Sequence, residues 1–238
     1  MNIKTNKKNM YSKQKLSSML FFDIETCGKY ENFNNLLDRD HEGAHIWEKK
    51  CSRLNYGDPA QGWQDKVSLF PEFGRIVCLS YGVWKNGEMA VSTIMEEDED
   101  KMMKLIANLF HKAGASGLIP TGWNIKNFDV PWVQRKLLMH GITIPQAIST
   151  YEKKPWEVNI MDLKEMWKSF SNLDVTFEEA AYGMGVPSPK DDIDGSQVHK
   201  EYWKGNTERI KTYCEKDVKT MILMCEKLYN IYSPTVLV

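Results

Sequence analysis

Apolar and polar residues follow two different periods along this chain, and the changes of period outline its strands and helices. An apolar run that begins at Met19 predicts a buried strand lasting to about Ile24. Two further strands are predicted at Arg75 to Trp84 and Glu88 to Met95, and the Asn86-Gly87 pair between them is a strong signal for a hairpin turn. We therefore expect three neighbouring strands in one sheet.

Helical spacing replaces the strand pattern after the hairpin. Acidic residues at positions 96–100 precede apolar residues that recur every three or four positions as far as Gly114, which predicts an amphipathic helix. Gly117 to Trp123 predicts a return to the sheet, and Pro131 marks the first turn of a helix that ends before Gly141.

The last third of the chain is predicted to be mainly helical. Val158 to Asp162 predicts a short strand, the Thr176-Phe177-Glu178-Glu179 capping box predicts a short helix, and a loop follows from Pro187 to Gly195. The final helix is predicted from Thr207 to about Ile231, and its inward-facing residues are Ile210, Val218, Met221, Ile222 and Leu228. This order of elements predicts an α/β fold with a mixed β-sheet flanked by helices, not an alternating parallel one.

Two segments do not follow either period. Residues 1–18 carry five lysines and no acidic residue, and we expect a disordered basic tail before a domain formed by residues 19–238. Residues 28–73 predict a long insertion with little regular structure apart from a short helix around His45 to Arg53. Trp47, Tyr56 and Trp63 in this insertion are candidates either for a base-stacking platform or for covering the sheet.

Composition narrows the class of protein. The formal charge is −1, so no global positive field indicates a nucleic-acid partner, and the 42% of apolar residues is enough for a substantial core. Five cysteines without CxxC spacing speak against a disulfide framework and against structural zinc, and they favour a reducing, cytoplasmic location. No apolar run is long enough for a membrane span, so we expect no membrane association.

Carboxylates lie where the predicted strands and helices meet. Asp23 and Glu25 are two residues apart at the end of the first strand and therefore project to the same face. Asp129 lies at a strand-to-helix junction, while Tyr213 and Asp217 are one turn apart on the final helix. Buried carboxylates are costly unless they are paired or bind a metal, so their conjunction predicts a divalent-metal site.

The donor types at this site favour Mg²⁺ or Mn²⁺. A pair of such ions can stabilise the attacking and leaving oxygens of a displacement at phosphorus. Asp23 is the best candidate to bridge both ions, with Glu25 and Asp217 on one side and Asp129 on the other. Tyr213 is a poor base at neutral pH and is predicted to orient the attacking water. Phe128 offers a ring for base stacking, although a core position is an alternative for it.

Three motifs at these positions resemble the DEDD superfamily of 3′–5′ exonucleases, also called DnaQ-like. The motifs are Phe-Asp-Ile-Glu-Thr at residues 22–26, Asn-Ile-Lys-Asn-Phe-Asp at 124–129 and Tyr-Cys-Glu-Lys-Asp at 213–217. The tyrosine of the third motif indicates the DEDDy branch. Residues 68–78 and 190–198 are similar to stand-alone predicted exonucleases related to the proofreading domain of family-B DNA polymerases.

The resemblance implies a ribonuclease-H-like fold, two bound Mg²⁺ or Mn²⁺ ions, and release of 5′-mononucleotides from the 3′ end of single-stranded DNA. It implies that Asp23, Glu25, Asp129 and Asp217 are metal ligands and that Tyr213 orients the water. It also implies that Thr26 and Cys27 contact the terminal nucleotide and that Asn124 and Phe128 flank the substrate strand. Lys190, Ser196 and Gln197 would either line the channel for the 3′ end or simply connect helices.

Two other functions are consistent with the same residues. One is an exonuclease that trims RNA 3′ ends, because the same carboxylate chemistry cleaves either backbone. The other is a module that holds nucleic acid, or a replication or repair protein, without cleaving. The presence of all four carboxylates and the tyrosine argues against the second. The five histidines lie outside the motifs, and none is predicted to be catalytic: His41, His45, His111, His140 and His199.

Overall fold

The computed structural model describes residues 15–85, 88–188 and 193–232, with side chains as far as residue 229. Its five-stranded sheet has the order β3-β2-β1-β4-β5. The strands are β1 (Met19–Gly28), β2 (Gly74–Lys85), β3 (Glu88–Ile94), β4 (Ile119–Gly122) and β5 (Met161–Asp162). Strands β1, β2 and β3 pair antiparallel, whereas β1, β4 and β5 pair in parallel. The predicted mixed α/β sheet is therefore confirmed.

Helices flank this sheet and also build the insertion. The insertion contains α1 (Phe33–Arg39), α2 (His41–Leu54) and α3 (Pro59–Lys66), followed by a 3₁₀ turn at Val67–Leu69. The helices of the remaining described chain are α4 (Glu99–Ala115), α5 (Asp129–Met139), α6 (Leu163–Lys168), α7 (Phe177–Gly183), α8 (Val198–Trp203) and α9 (Thr207–Tyr232). None of the helices in the described ranges combines the length and the apolar content that a membrane span requires.

The central strand β1 divides its side chains between two apolar cores, because successive residues point to opposite faces. Leu20, Phe22 and Ile24 pack in one core with residues of α4 and α5. Met19 and Phe21 pack in the other core with residues of α9. All residues of α9 that were predicted to face inward lie in this core except Ile210, which packs with α8 and the end of β1. Helices therefore cover both faces of the sheet beside the end of β1.

The insertion is largely helical, so the prediction of little regular structure was wrong, whereas the short helix expected around His45 to Arg53 is confirmed within α2. Asn32, Asp40 and Asp58 each accept a backbone N–H at the start of a helix, which gives α1, α2 and α3 their own N-caps. Trp47 and Trp63 are 0% exposed and pack edge to face, at a ring distance of 5.2 Å, in a small core of the insertion. They therefore cannot serve as a base-stacking platform, and the half-buried Tyr56 packs against the same core.

Several boundaries differ from the sequence predictions. Strand β1 continues four residues beyond the expected end, β5 has only two residues, and α6 and α8 were not predicted. Leu16 is buried in the core with α9, so packing begins before Met19, the expected start of the domain. Residues 1–14 of the predicted tail, the Asn86-Gly87 turn and Lys190 lie outside the described residues.

Candidate active site

Strand β1 carries two of the predicted site carboxylates on one face. Asp23 and Glu25 alternate with the buried Ile24 and project toward α9, where the Cys214 thiol donates to Asp23 Oδ2 over 3.4 Å. Glu25 pairs with Cys78 of β2, and a β-bulge then shifts the register by one residue. Such bulges often lie beside functional sites because they redirect the side chains of one strand.

Asp129 reaches the site because the sheet opens beside it. Strand β4 pairs with β1 only from Met19 to Phe21, whereas β1 itself continues to Gly28. The N–H of Ile24 donates to Asp129 Oδ1 over 3.1 Å, and Asp129 is the first residue of α5. The hydrogen bond fixes this carboxylate against the strand that carries Asp23.

A close approach of backbone to backbone starts the loop between β4 and α5. A Cβ atom at Gly122 would lie 2.7 Å from the Phe22 carbonyl oxygen and 2.5 Å from Ile125 Cγ2, so only glycine fits there. Asn124 follows with a φ of 58°, in the left-handed region that asparagine tolerates better than most residues. The loop can therefore turn sharply from the sheet into α5.

Asp162, at the end of β5, holds this loop in place. Its Oδ1 accepts the N–H of Asn124 over 2.9 Å, and its Oδ2 accepts the N–H of Lys126 over 3.1 Å. The same carboxylate caps α6 through the N–H of Lys164. Sequence reasoning identified Asp162 only as the end of a strand, because nothing in its local pattern indicates which distant backbone it contacts.

Helix α9 supplies the third segment of the site. The Tyr213 hydroxyl donates to the Asp217 carboxylate, one turn along the helix. Between them, Cys214 is buried against β1 and Glu215 accepts the Thr93 hydroxyl of β3 over 2.8 Å. The helix thus directs Tyr213 and Asp217 to the carboxylate cluster and Glu215 away from it.

The carboxylates raise the pKa of one another. Burial raises the pKa of Asp23 well above the ordinary value, and the negative charges of Asp129 and Asp217 add to that effect. The pKa of Glu25 is likewise raised well above its ordinary value, first by burial and then by Asp23 and Asp217. Burial raises the pKa of Asp129 to about 7, although the hydrogen bond from Ile24 opposes the rise. The negative charge of each of these four carboxylates therefore acts on the other three.

This donor set fits a divalent cation. Carboxylate oxygens are hard ligands that suit Mg²⁺ and Mn²⁺, and a cation would offset the repulsion that raises the pKa of the cluster. Asp23, Glu25 and Cys214 also each offer one ligand-capable atom within 4.8 Å of the other two. Cys214 was not assigned to the site from the sequence alone. It directly follows Tyr213 on α9, and its thiol contacts Asp23 of β1.

The other predicted site residues occupy different environments. Cys27 is 0% exposed and packs with α8 and α9, so the predicted contact of its side chain with a nucleotide is not supported. Thr26 is buried and donates its hydroxyl to the carbonyl of Ser68 in the insertion, over 2.7 Å. Phe128 is half-buried and packs partly against the core, and Asn124 accepts an amide N–H of Asn127 over 3.1 Å.

Ser196 and Gln197 lie in an exposed turn. The Ser196 N–H donates to the Asp194 carboxylate over 2.8 Å, and Gln197 Oε1 accepts the Asp194 N–H over 3.2 Å. These bonds shape the turn before α8. The predicted role of this turn as a wall of the 3′-end channel stays a prediction.

The fold is ribonuclease-H-like, of the kind found in exonuclease domains of family B DNA polymerases. The structure is similar to the family B DNA polymerase of the hyperthermophilic archaeon Pyrobaculum calidifontis, with a TM-score of 0.58 and 17% sequence identity over 88% of this chain. The similarity spans 24% of the polymerase chain. No significant match was found among curated protein sequences.

The chain belongs to the family described as predicted 3′–5′ exonucleases related to the exonuclease domain of PolB. The family model matches residues 69–230, about two-thirds of the chain. This range contains Asp129, Tyr213 and Asp217, whereas Asp23 and Glu25 lie before it. Exonuclease domains of this kind generally depend on divalent metals, and the carboxylate cluster is consistent with that requirement.

Proposed function

We propose that this protein hydrolyses phosphodiester bonds at the 3′ end of single-stranded DNA and releases 5′-mononucleotides with the help of two Mg²⁺ or Mn²⁺ ions. The observation that carries the proposal is the convergence of carboxylates from β1, α5 and α9 beside the end of the sheet. Asp23, Glu25, Asp129 and Asp217 would hold the ions. When bound, such ions lower the pKa of a water and stabilise negative charge on the attacking and leaving oxygens.

The protein's own groups orient the reactants around these ligands. Asp23 is the central ligand of this proposal because the charges of both Asp129 and Asp217 act on its carboxylate. Burial raises the pKa of Tyr213 above its ordinary value of about 10, and the Asp217 charge raises it further, so the hydroxyl stays protonated. A neutral hydroxyl at this place hydrogen-bonds and orients the attacking water without removing its proton.

Substrate contacts are proposed for the open edge of β1 and for the loop before α5. Thr26 and Cys27 would contact the terminal nucleotide through their main chain, since both side chains are committed to the protein interior. The N–H groups of Ile24 and Gly28 point to one edge of β1, and period-two alternation puts the Thr26 N–H on that edge between them. Asn124 and Phe128 would flank the strand on the other side of Asp129.

Cleavage of end-blocked oligonucleotides tests this proposal. Single-stranded DNA of about 20 nucleotides with a 5′ label should shorten from its 3′ end with Mg²⁺ or Mn²⁺ and stay intact with excess chelator. A blocked 3′ end should stop the reaction, and a blocked 5′ end should not. Asp23→Asn should lower the rate by more than the roughly 10- to 100-fold that changes around metal ligands produce. Cleavage by that variant at the wild-type rate would refute the assignment.

Matched RNA is the comparison that decides the substrate. If RNA of the same sequence is shortened faster than DNA, the activity is RNA 3′-end trimming, because the carboxylate chemistry does not distinguish the two sugars. Equal rates would likewise contradict a preference for DNA.

Two substitutions on α9 distinguish the proposed metal-ligand role of Asp217 from the proposed water-orienting role of Tyr213. Asp217→Ala removes a proposed metal ligand and should lower kcat by more than about 100-fold, whereas Tyr213→Phe removes one hydroxyl and should lower kcat by about 10- to 100-fold. Single-turnover cleavage at saturating Mg²⁺ measures both variants. Equal losses would contradict the orienting role, and circular dichroism provides the control that both variants are folded.

A further inference from the structure

The insertion contains a cleft of about 660 Å³ that the proposed chemistry does not use. One wall is a face of α2, where Ile46, Lys49, Lys50 and Arg53 recur at spacings of three and four residues and all line the cleft. Lys29, just after β1, lines the cleft as well. Three basic residues thus follow one helix face, and a fourth lies on another segment.

Three acidic residues, Asp40, Glu42 and Glu72, line the cleft together with these four cations. Lys49 and Arg53 are exposed, and within the described ranges neither has an acidic group within ion-pair distance. Two of the acidic residues in the cleft are engaged elsewhere: Asp40 accepts the Gly43 N–H and caps α2, and Glu72 pairs with Arg135. The third, Glu42, is exposed in the first turn of α2, where an acidic group favours the helix dipole.

Aromatic rings lie beside the cationic wall. The Lys50 ammonium is 3.9 Å from the ring centre of Phe70 and 5.7 Å from that of Phe73, and the Lys29 ammonium is 5.7 Å from that of Tyr30. Burial lowers the pKa of Lys50, the nearby charge of Glu72 opposes that shift, and the charges of Arg53 and Arg135 add to it. The lining carries four positive and three negative side chains, and an anion bound beside Lys49 and Arg53 would meet two exposed cations that no described carboxylate pairs.

The cleft lies next to the proposed active site along the chain. Lys29 directly follows β1, which ends at Gly28, and is four residues beyond Glu25, so at 3.3 Å per residue their Cα atoms are about 13 Å apart at most. The N–H of Lys29 donates to the Phe73 carbonyl over 2.9 Å, which joins the mouth of the cleft to the end of β1. A strand whose 3′ end is at Asp23 and Glu25 needs only a short length to reach Lys29.

We propose that this cleft binds the sugar-phosphate backbone of the substrate strand upstream of the cleaved nucleotide, with Lys29, Lys49, Lys50 and Arg53 contacting phosphates. The inference rests on the proposed function, and it assigns the insertion a role in holding the strand while the carboxylates act on its end. Positively charged grooves that follow the backbone are how single strands are bound without sequence preference.

A double charge reversal tests the cleft. Lys49→Glu with Arg53→Glu changes two exposed side chains, so folding should be preserved. Binding of a fluorescein-labelled single-stranded DNA 20-mer, measured by anisotropy in chelator, should weaken by about 10-fold or more. The slope of log K against log salt should fall in magnitude by about 1.4, because each lost phosphate contact on a single strand contributes about 0.7. Cleavage of a labelled dinucleotide with Mg²⁺ should change by less than about 2-fold, since the single nucleotide upstream of the cleaved bond does not reach Lys49 or Arg53.

The matched control is Lys104→Glu with Lys112→Glu, which makes the same change of net charge on exposed positions of α4. It should leave binding of the 20-mer within about 2-fold of the wild type. The proposal would be overturned by an unaltered affinity in the cleft variant, by an equal loss of affinity in the control, or by an equal loss of activity with the dinucleotide. The wild type could also bind the 20-mer with the expected dependence on Lys49 and Arg53 and yet cleave no substrate. That result would refute the proposed nuclease function but support DNA binding in the cleft.

Discussion

Asp129 is a proposed metal ligand whose burial lowers the stability of the folded protein. Its side chain is 3% exposed, its carboxylate accepts the N–H of Ile24, and its pKa is about 7 because burial disfavours the charged form. Asp23 and Asp217 add negative charge nearby. Without cations, the folded protein must keep these charges close together, so the site should destabilise the fold that carries it.

Asp129→Asn should therefore stabilise the metal-free protein. The substitution keeps the shape and the acceptor for the Ile24 N–H but removes one buried charge, and at pH 8 in chelator we expect a gain of about 1 kcal/mol or more. A gain of 1 kcal/mol corresponds to about 2–4 °C in Tm for a protein of this size. Thermal unfolding followed by circular dichroism measures the change.

Added Mn²⁺ provides the control for that substitution. The wild type should gain about 2.7 kcal/mol when the ion is present at a hundred times its Kd, while Asp129→Asn should gain much less because one proposed ligand is lost. A variant that is less stable than the wild type in chelator, or that responds equally to Mn²⁺, would contradict this account of the cluster.

Short elements position the site more than long ones do. Strand β5 has two residues, yet its Asp162 accepts hydrogen bonds from the N–H groups of Asn124, Lys126, Lys164 and Glu165. These bonds connect the loop that leads to Asp129 with the first turn of α6. The carboxylate is 2% exposed, so water cannot replace it.

Asp162→Ala should disturb both folding and catalysis without touching the substrate. Loss of a helix cap and of charged acceptors for buried N–H groups should cost about 2–4 kcal/mol in the free energy of unfolding, measured in urea. The rate of DNA cleavage should also fall, because the loop before Asp129 is no longer held.

Asp162→Asn is the matched control for that change. Its amide keeps one oxygen for Asn124 and Lys164 but offers a donor to the N–H of Lys126, so its loss of stability should be smaller than that of Asp162→Ala. An alanine variant as stable as the wild type would show that the four hydrogen bonds do not hold the loop.

One side chain joins three distant parts of the whole molecule. His199 of α8 accepts the N–H of Gly28, at the end of β1, on Nδ1 and donates from Nε2 to the carbonyl of Glu31 in the insertion, each over 3.0 Å. A backbone N–H can only donate, so Nδ1 must be unprotonated and the ring must be neutral. Burial lowers the pKa of His199, although Glu31 opposes that shift.

The contribution of His199 to stability should therefore be lost on mild acidification, whereas protonation of Asp129, whose pKa is raised, acts in the opposite direction over the same range. Below the unfolded pKa of about 6.5 the unfolded chain binds a proton that the native His199 resists, so the free energy of unfolding decreases as pH falls through that value toward the lowered native pKa. One group can contribute at most about 1.4 kcal/mol per pH unit. The urea midpoint of His199→Gln relative to that of the wild type should rise as pH falls from 7.5 to 5, because the carboxylates titrate in both proteins and only the wild type has His199; parallel profiles would contradict the role of His199.

The sequence predicted the elements whose pattern is local. Helix α9 was predicted to within one residue at its end because its apolar residues keep one period over seven turns, and the capping box at Thr176 fixed the start of α7. Helices α1 and α3 of the insertion were missed, and α2 was predicted only from about His45 to Arg53, because their apolar positions are sparse. In α2 only Ala44, Trp47 and Cys51 are buried, whereas Ile46 is exposed and obscures the pattern.

By itself, the amino-acid sequence determined the class of fold and the carboxylates of the candidate site, because periodicity and the spacing of Asp23, Glu25, Tyr213 and Asp217 are properties of short segments. Only the tertiary structure decided which partners those side chains meet. It buried Cys27, Trp47 and Trp63, brought Cys214 and Asp129 to β1, and gathered Lys29 with the basic face of α2 in one cleft. Contacts between residues far apart in the chain depend on how the helices pack on the sheet, and no local pattern records that packing.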